Sequence, residues 1–399
     1  MFIAAVVPLL VWIVGTYSMQ NLYFFVGIAG ENPVFLRLVE LLLNNGANMN
    51  SKHGDRPLLH IAVDSRNREL VSLLLDRGAE VDAVDNNNFT ALSSAVIRGD
   101  FEISSLLLSR GADMNAAAVD GLTAMHRACY YGHVDIVKLI MSKNFDINLK
   151  SVGPELTPLH WATEGGKFEV AKILIDANAQ IDAVDSLGQT PLHTAATHGH
   201  LDFIELLLDN GIDPSIADNS GMLALHIAYS NNQNDVAKAL INGGTDMNYE
   251  LEDGSTLIHF AALSGDEYAL KQFIDHGADL NIATTRNSQE TPLLWLARGG
   301  HTHLVDMMIE GGAILDLVGE NSHSVMHEVA LSGNVNFAEK LIELGMDVNE
   351  KDLHGHTVLY RACDSHQTGL AEFLVSKGAD KSIKSDGKRA TDLEACLTI

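Results

Sequence analysis

The sequence predicts an all-α solenoid of repeated helix-turn-helix units, and three observations predict it. First, a glycine or asparagine recurs at Gly46, Gly78, Gly111, Asn144, Asn178, Gly211, Gly244, Gly277, Gly312, Gly345 and Gly378, in steps of 32 to 35 residues. These two residue types tolerate the left-handed backbone that ends a helix. Second, a small or apolar residue stands 16 positions before each marker from Gly78 onward: Ala62, Ala95, Ala128, Ala162, Ala195, Ala228, Ala261, Leu296, Val329 and Ala362. Third, five residues earlier lies a helix-capping position, held by Thr90, Thr123, Thr157, Thr190, Thr256, Thr291, Ser324 and Thr357, with Pro57 and Leu223 as exceptions. Such a register belongs to a chain whose units stack only on their neighbours.

Residues 186–218 show how one unit is built. Gly188 allows a tight turn. Thr190 caps a helix, and Pro191 suits its first position because the missing N–H has no partner there anyway. Leu192, Ala195 and Ala196 form a small apolar stripe, and the helix ends near His198-Gly199-His200. A second helix, from Leu201 to Leu208, ends at Gly211. Two residues before the alanine column stand His60, His126, His160, His193, His226, His259 and His327, replaced elsewhere by Ser93, Leu294 and Tyr360.

The pattern strongly resembles the ankyrin repeat. The signature Thr-Pro-Leu-His-x-Ala stands at Thr157 to Ala162 and at Thr190 to Ala195, with a degenerate copy at Thr291 to Leu296. The resemblance covers about residues 20–399, with about ten full repeats and terminal half-repeats as caps near 20–52 and 383–399. It implies two antiparallel helices per repeat, joined by protruding hairpin fingers. The implied stack is a slightly curved ribbon with fingers and first helices on its concave side. It also implies a protein-binding scaffold or adaptor without catalytic chemistry.

At the N-terminal end, Leu38 to Leu43 reads as the second helix of a leading repeat; at the C-terminal end, Gly387 to Leu393 reads as a twelfth unit cut short. The longest inserts, Ser151 to Glu155 and Thr284 to Ser288, fall in fingers, where extra length is tolerated and can touch a partner. Residues 1–15 are apolar throughout, and no charged side chain occurs before Glu31. Three readings of residues 1–18 stand open. They are a secretory signal without its usual basic start, a membrane anchor shortened by Pro8, or an extension before a real start at Met19. Export or tethering would make the chain a secreted or membrane-bound effector; a start at Met19 would make it a cytoplasmic adaptor.

The net charge of −26, from 52 acidic and 26 basic residues, repels phosphate backbones and disfavours nucleic acid. It suits a basic peptide or basic protein face. A monomer is expected. Cys129, Cys363 and Cys396 show no Cys-x-x-Cys pair and no disulfide framework, and are expected as separate thiols. The motif histidines are expected as partly buried rings bonded to a neighbouring finger or cap. The clusters His193/His198/His200, His301/His303 and His354/His356 have no accompanying metal-ligand spacing. No phosphate loop or nucleophile elbow is present, so neither catalytic residue nor cofactor is expected.

In the family, the residue before the capping threonine points from the finger towards the groove. Those positions read Arg56, Phe89, Leu122, Leu156, Gln189, Met222, Ser255, Glu290, His323 and His356. Phe89, Leu122 and Leu156 lie on consecutive fingers, with Met222 two beyond; from Ser255 the row is polar. Tyr130 and Tyr131 add aromatic surface beside it. The expected contact set is therefore Arg56, Phe89, Leu122, Tyr130, Tyr131, Leu156, Gln189 and Met222, because aromatic and apolar groups on an acidic face supply interface anchors. Trp161, Phe260 and Trp295 are expected in the core. Acidic-apolar-Asn triplets ending at Asn115, Asn148, Asn248, Asn281 and Asn349 resemble ankyrin sites modified by asparaginyl hydroxylases; the plainer expectation is a turn asparagine bonding its own backbone.

Overall fold

The computed structural model describes residues 26, 33–44, 47–285, 289–319, 323–385 and 387–396. The leader, the first marker Gly46 and the tip of the insert before Thr291 lie outside them. The chain divides into two compact units, Met1–Ala195 and Ala196–Ile399.

In the first unit a leading helix, Pro33–Asn44, precedes the helix pairs Leu58–Asp64/Arg68–Asp76, Ala91–Ile97/Phe101–Ser109, Ala124–Tyr131/Val134–Met141 and Pro158–Glu164/Phe168–Asp176. Helix Pro191–His198 and helix Leu201–Asp209 follow in the chain. The second unit continues with Ala224–Ser230/Asn234–Asn242, Leu257–Ser264/Glu267–Asp275, Pro292–Gly299/Val305–Glu310, Val325–Ser332/Val335–Glu343 and Val358–Asp364/Thr368–Ser376. Among the described residues, strand content is confined to finger hairpins and their bridges, such as Lys52–His53 against Arg56–Pro57 and Lys384–Ser385 against Lys388–Arg389. The fold is an ankyrin-repeat solenoid.

The marker residues do what the period requires of them. Every one from Gly78 to Gly378 is left-handed, with φ between 57° at Asn144 and 107° at Gly312. The residues 16 positions before them are all 0% exposed, including Leu296 and Val329. Small side chains there let first helices of successive repeats approach closely. The approach is close at Gly165, where a Cβ would sit 2.3 Å from the carbonyl oxygen of Tyr130 in the preceding repeat. Gly165→Ala is therefore expected to lower stability by about 1–3 kcal/mol, the usual cost of overpacking. A urea-unfolding midpoint equal to that of the parent chain would show that the contact relaxes.

Two expectations need correction. Trp161, Phe260 and Trp295 are half-buried rather than core residues, because the position before the alanine column faces the fingers. The cysteines are not three separate thiols: Cys363 and Cys396 form a disulfide, and only Cys129 is free and buried. The cut-short twelfth unit forms two short 3-10 turns, Ala390–Asp392 and Glu394–Cys396.

Candidate protein-interaction surface

The surface begins with how each finger is held. An aspartate at the finger start accepts main-chain N–H groups across the turn. Asp85 Oδ1 takes those of Asn87 and Phe89, and Asp185 Oδ1 those of Leu187 and Gln189, all at 2.8–3.0 Å. Successive fingers in the first unit are then stitched by main-chain hydrogen bonds. Val119 N–H donates to Asn87 O at 2.9 Å, Val152 N–H to Gly121 O at 3.0 Å, and Ser186 N–H to Pro154 O at 3.0 Å. Asparagine side chains add a second stitch. Asn148 Oδ1 accepts from Gln180 N–H, Asn281 Oδ1 from Ile314 N–H and Asn349 Oδ1 from Asp380 N–H, at 2.7–2.8 Å. These asparagines bond the next repeat rather than their own backbone.

The motif histidines fix each finger to the first helices. His160 Nδ1 accepts the main-chain N–H of Thr157 at 3.3 Å, so the proton is on Nε2, which donates to Gln189 O at 3.0 Å. His126 repeats this between Thr123 and Leu149, and His259 between Thr256 and Glu290. Where the threonine is replaced by Leu223, the main-chain bond to His226 Nδ1 remains at 3.0 Å. In His126, His160 and His259 both ring nitrogens are used, so a second ring proton has no place. Burial pushes His126 and His160 down to about 4, and lowers His60 and His259 in the same direction. No group of three metal-ligating side chains occurs among the described residues.

The expected contact residues fall into distinct environments. Tyr130 and Tyr131 are exposed, at 39% and 44%. Leu122 and Gln189 are half-buried on their fingers. Arg56 is exposed and pairs with Asp64. Phe89 is half-buried beneath Arg127, whose guanidinium lies 4.3 Å from the ring centroid and donates to both oxygens of Asp120 at 2.7 and 2.8 Å. Leu156 is buried. Its main chain is pinned to Ser151 by Ser151 N–H to Leu156 O at 2.9 Å and by Leu156 N–H to Ser151 Oγ at 3.1 Å. Met222, in the second unit, is half-buried.

Sequence reasoning missed the apolar residues at the fingertips. Val119 is 71% exposed, Val152 69% and Leu187 60%. They lie on the three consecutive fingers joined by the main-chain bonds above. The signal was an apolar residue inside a turn, where solvation favours polar ones.

In the second unit the polar row forms closed ionic networks. Glu290 accepts from Trp295 Nε1 at 2.7 Å and from Arg298 at 2.6 and 3.0 Å, and Arg298 Nε donates to Glu328 at 2.9 Å. Burial pushes Glu328 up, but bonds from His323 and Arg298 outweigh it and hold the carboxyl below its usual range. Burial likewise acts against Asp352, yet Arg361 and the His356 N–H bring it down to about 2.

Paired helices that present stitched fingers, with exposed apolar side chains at the fingertips, define a repeat module of the protein-interaction class. The chain belongs to the ankyrin repeat family: segments matching the family's three-repeat unit cover residues 27–118, 59–151, 151–218, 178–250, 225–317 and 296–385. Ankyrin repeats generally mediate protein–protein interactions. A putative ankyrin repeat protein of fowlpox virus (strain NVSL) is 48% identical over 63 residues, 15% of this chain and 18% of the viral protein. The match thus spans under a fifth of that relative's length. Among solved structures, the ankyrin repeat domain of Bcl-3, a member of the IkappaB protein family, is similar at 27% identity and a TM-score of 0.50, covering 56% of this chain and 98% of that domain.

Proposed function

We propose that the chain is a non-catalytic scaffold or adaptor, and that its first unit takes up an extended peptide or protein face along the fingers and first helices. The observation that carries this is the row Val119, Val152 and Leu187: exposed apolar side chains on three fingers held in fixed register. Tyr130, Tyr131 and Leu122 lie on the first of these repeats and the rim of Phe89 on the repeat before it, and they extend the surface. Carboxylates at the finger bases, among them Asp82, Asp85, Asp113, Asp146, Asp182 and Asp185, favour a basic partner.

Selection of a random peptide display library on the immobilised full chain tests the reading. Retained peptides are expected to lose at least tenfold in affinity when Val119, Val152 and Leu187 are all replaced by Asp. These side chains are exposed, so helicity should be unchanged. Failure to retain any peptide, or equal affinity for the triple variant and the parent, overturns the reading.

A further inference from the structure

Two arginines show how this fold holds a guanidinium on its first-helix face. Arg127, 6% exposed, is stacked on Phe89 at 4.3 Å and bound by both oxygens of Asp120. Arg298 is bound by Glu290 and Glu328, and Glu290 also receives the indole N–H of Trp295. Each arrangement has an aromatic ring, a carboxylate and an arginine from the chain itself.

One repeat beyond Arg127, the same materials occur without the arginine. Trp161 occupies the helix position of Arg127, three residues after its helix start Pro158 as Arg127 is after Ala124. Tyr130 meets Trp161 edge-on, with centroids 5.9 Å apart and planes at 79°, and meets Tyr131 at 5.3 Å and 85°. Glu164 stands one turn from Trp161 on the same helix and is the counterpart of Tyr130 in the next repeat. It adjoins Gly165, which abuts the Tyr130 main chain. Among the described residues no cation lies over Tyr130, Tyr131 or Trp161, and none pairs with Glu164. The stem of Lys167 packs over Gly132 at the end of the tyrosine helix, and the His133 ring stacks on one face of Tyr131 at 6.0 Å and 23°.

We propose that Tyr130, Tyr131, Trp161 and Glu164 receive an arginine side chain from the partner, so that the segment bound by the first unit carries an arginine as its polar anchor. A guanidinium suits this site better than an ammonium. It is planar, more weakly hydrated, stacks on aromatic faces, and can donate to a carboxylate at the same time. The net charge of −26 attracts such a segment before it docks.

This rests on the interaction reading above, and the same peptide selection separates the two. Each retained peptide is resynthesised with its arginines as citrulline, which keeps the shape and removes the charge. Citrulline is expected to weaken binding about tenfold, from the combined loss of a cation–π contact and an exposed ion pair. Lysine in its place should weaken it about threefold. Glu164→Gln should remove part of the difference between arginine and citrulline peptides, and Tyr130→Leu with Tyr131→Leu should remove most of it. These residues are at the surface, so circular dichroism should match that of the parent. Retained peptides that lack arginine, or that bind equally well with citrulline, overturn the arginine anchor while the fingertip reading stands. An arginine preference that survives the tyrosine and Glu164 replacements also overturns it, by placing the guanidinium elsewhere. Retention of no peptide overturns both readings.

Discussion

Lowering the pH from 7 to 5 is expected to destabilise the array by about 4 kcal/mol through His126 and His160 alone, and by about 6 kcal/mol at pH 4. Burial holds both rings near 4, against 6.5 in an unfolded chain. Below 6.5 the unfolded chain therefore takes up protons that the folded chain refuses, so folding loses ground as pH falls. The loss is complete only once pH has fallen through the folded value near 4. His60 and His259 are lowered in the same direction and add to it. The structural reason is specific. Nδ1 accepts a main-chain N–H, so protonating it sets donor against donor at each helix start. Urea midpoints followed by helicity at pH 7, 6, 5 and 4 measure the slope. A chain carrying His126→Asn and His160→Asn should be weaker at pH 7 but flatter between pH 6.5 and 4. A parent chain with the same midpoint at pH 7 and 5 would show that the rings are protonated in place without penalty. Loss of the Asp352 pairing belongs to a lower window: its carboxyl lies near 2, so Arg361 is released only as pH falls from about 4 towards that value.

The histidine register, the marker glycines and the alanine column were legible because each is a local requirement that repeats. A left-handed residue must follow a helix, and a small one must sit where helices meet. What was not legible depended on one repeat reaching into another. Phe89 reads as an exposed aromatic, yet its face is taken by Arg127, 38 residues on and in the following repeat. Leu156 occupies the same motif position as Leu122. It follows a left-handed residue as Leu122 does, Glu155 at φ 57° against Gly121 at 77°, yet it is 9% exposed where Leu122 is half-buried, while Val152 is as open as Val119. Three of the triplet asparagines, Asn148, Asn281 and Asn349, bond the main chain one repeat further on through their side chains. The cysteine pair did leave a signal. Cys363 and Cys396 are 33 residues apart, one full period, and a period apart in sequence is one layer apart in space.

Reduction of that disulfide is expected to have the second large effect, confined to the last repeat. The bond joins helix Val358–Asp364 to the 3-10 turn Glu394–Cys396 and closes a loop of 33 residues. Removing such a cross-link from the unfolded chain costs about 3–4 kcal/mol of stability on loop-entropy grounds. In the terminal segment, besides the disulfide, Ser385 Oγ donates to Gly355 O at 2.9 Å. Among its buried side chains are Ser385, Ala390 and Cys396, and its turns are too short to sustain themselves. In a repeat array each unit is braced by its neighbours, so a terminal repeat that loses its cover frays first. Hydrogen exchange should therefore rise after reduction across residues 384–396 and helix Thr368–Ser376, while helices before Val325 keep their protection. Cys396→Ser should reproduce the change without reductant. Alkylation under native reducing conditions should label Cys363 and Cys396 but spare Cys129, which is fully buried and whose thiol burial pushes well above its usual range. In an oxidising compartment the bond persists; in a reducing one the array works with the weaker end. Equal exchange in the oxidised and reduced chains would mean that the cap docks through its apolar contacts alone and that the cysteines do not brace it.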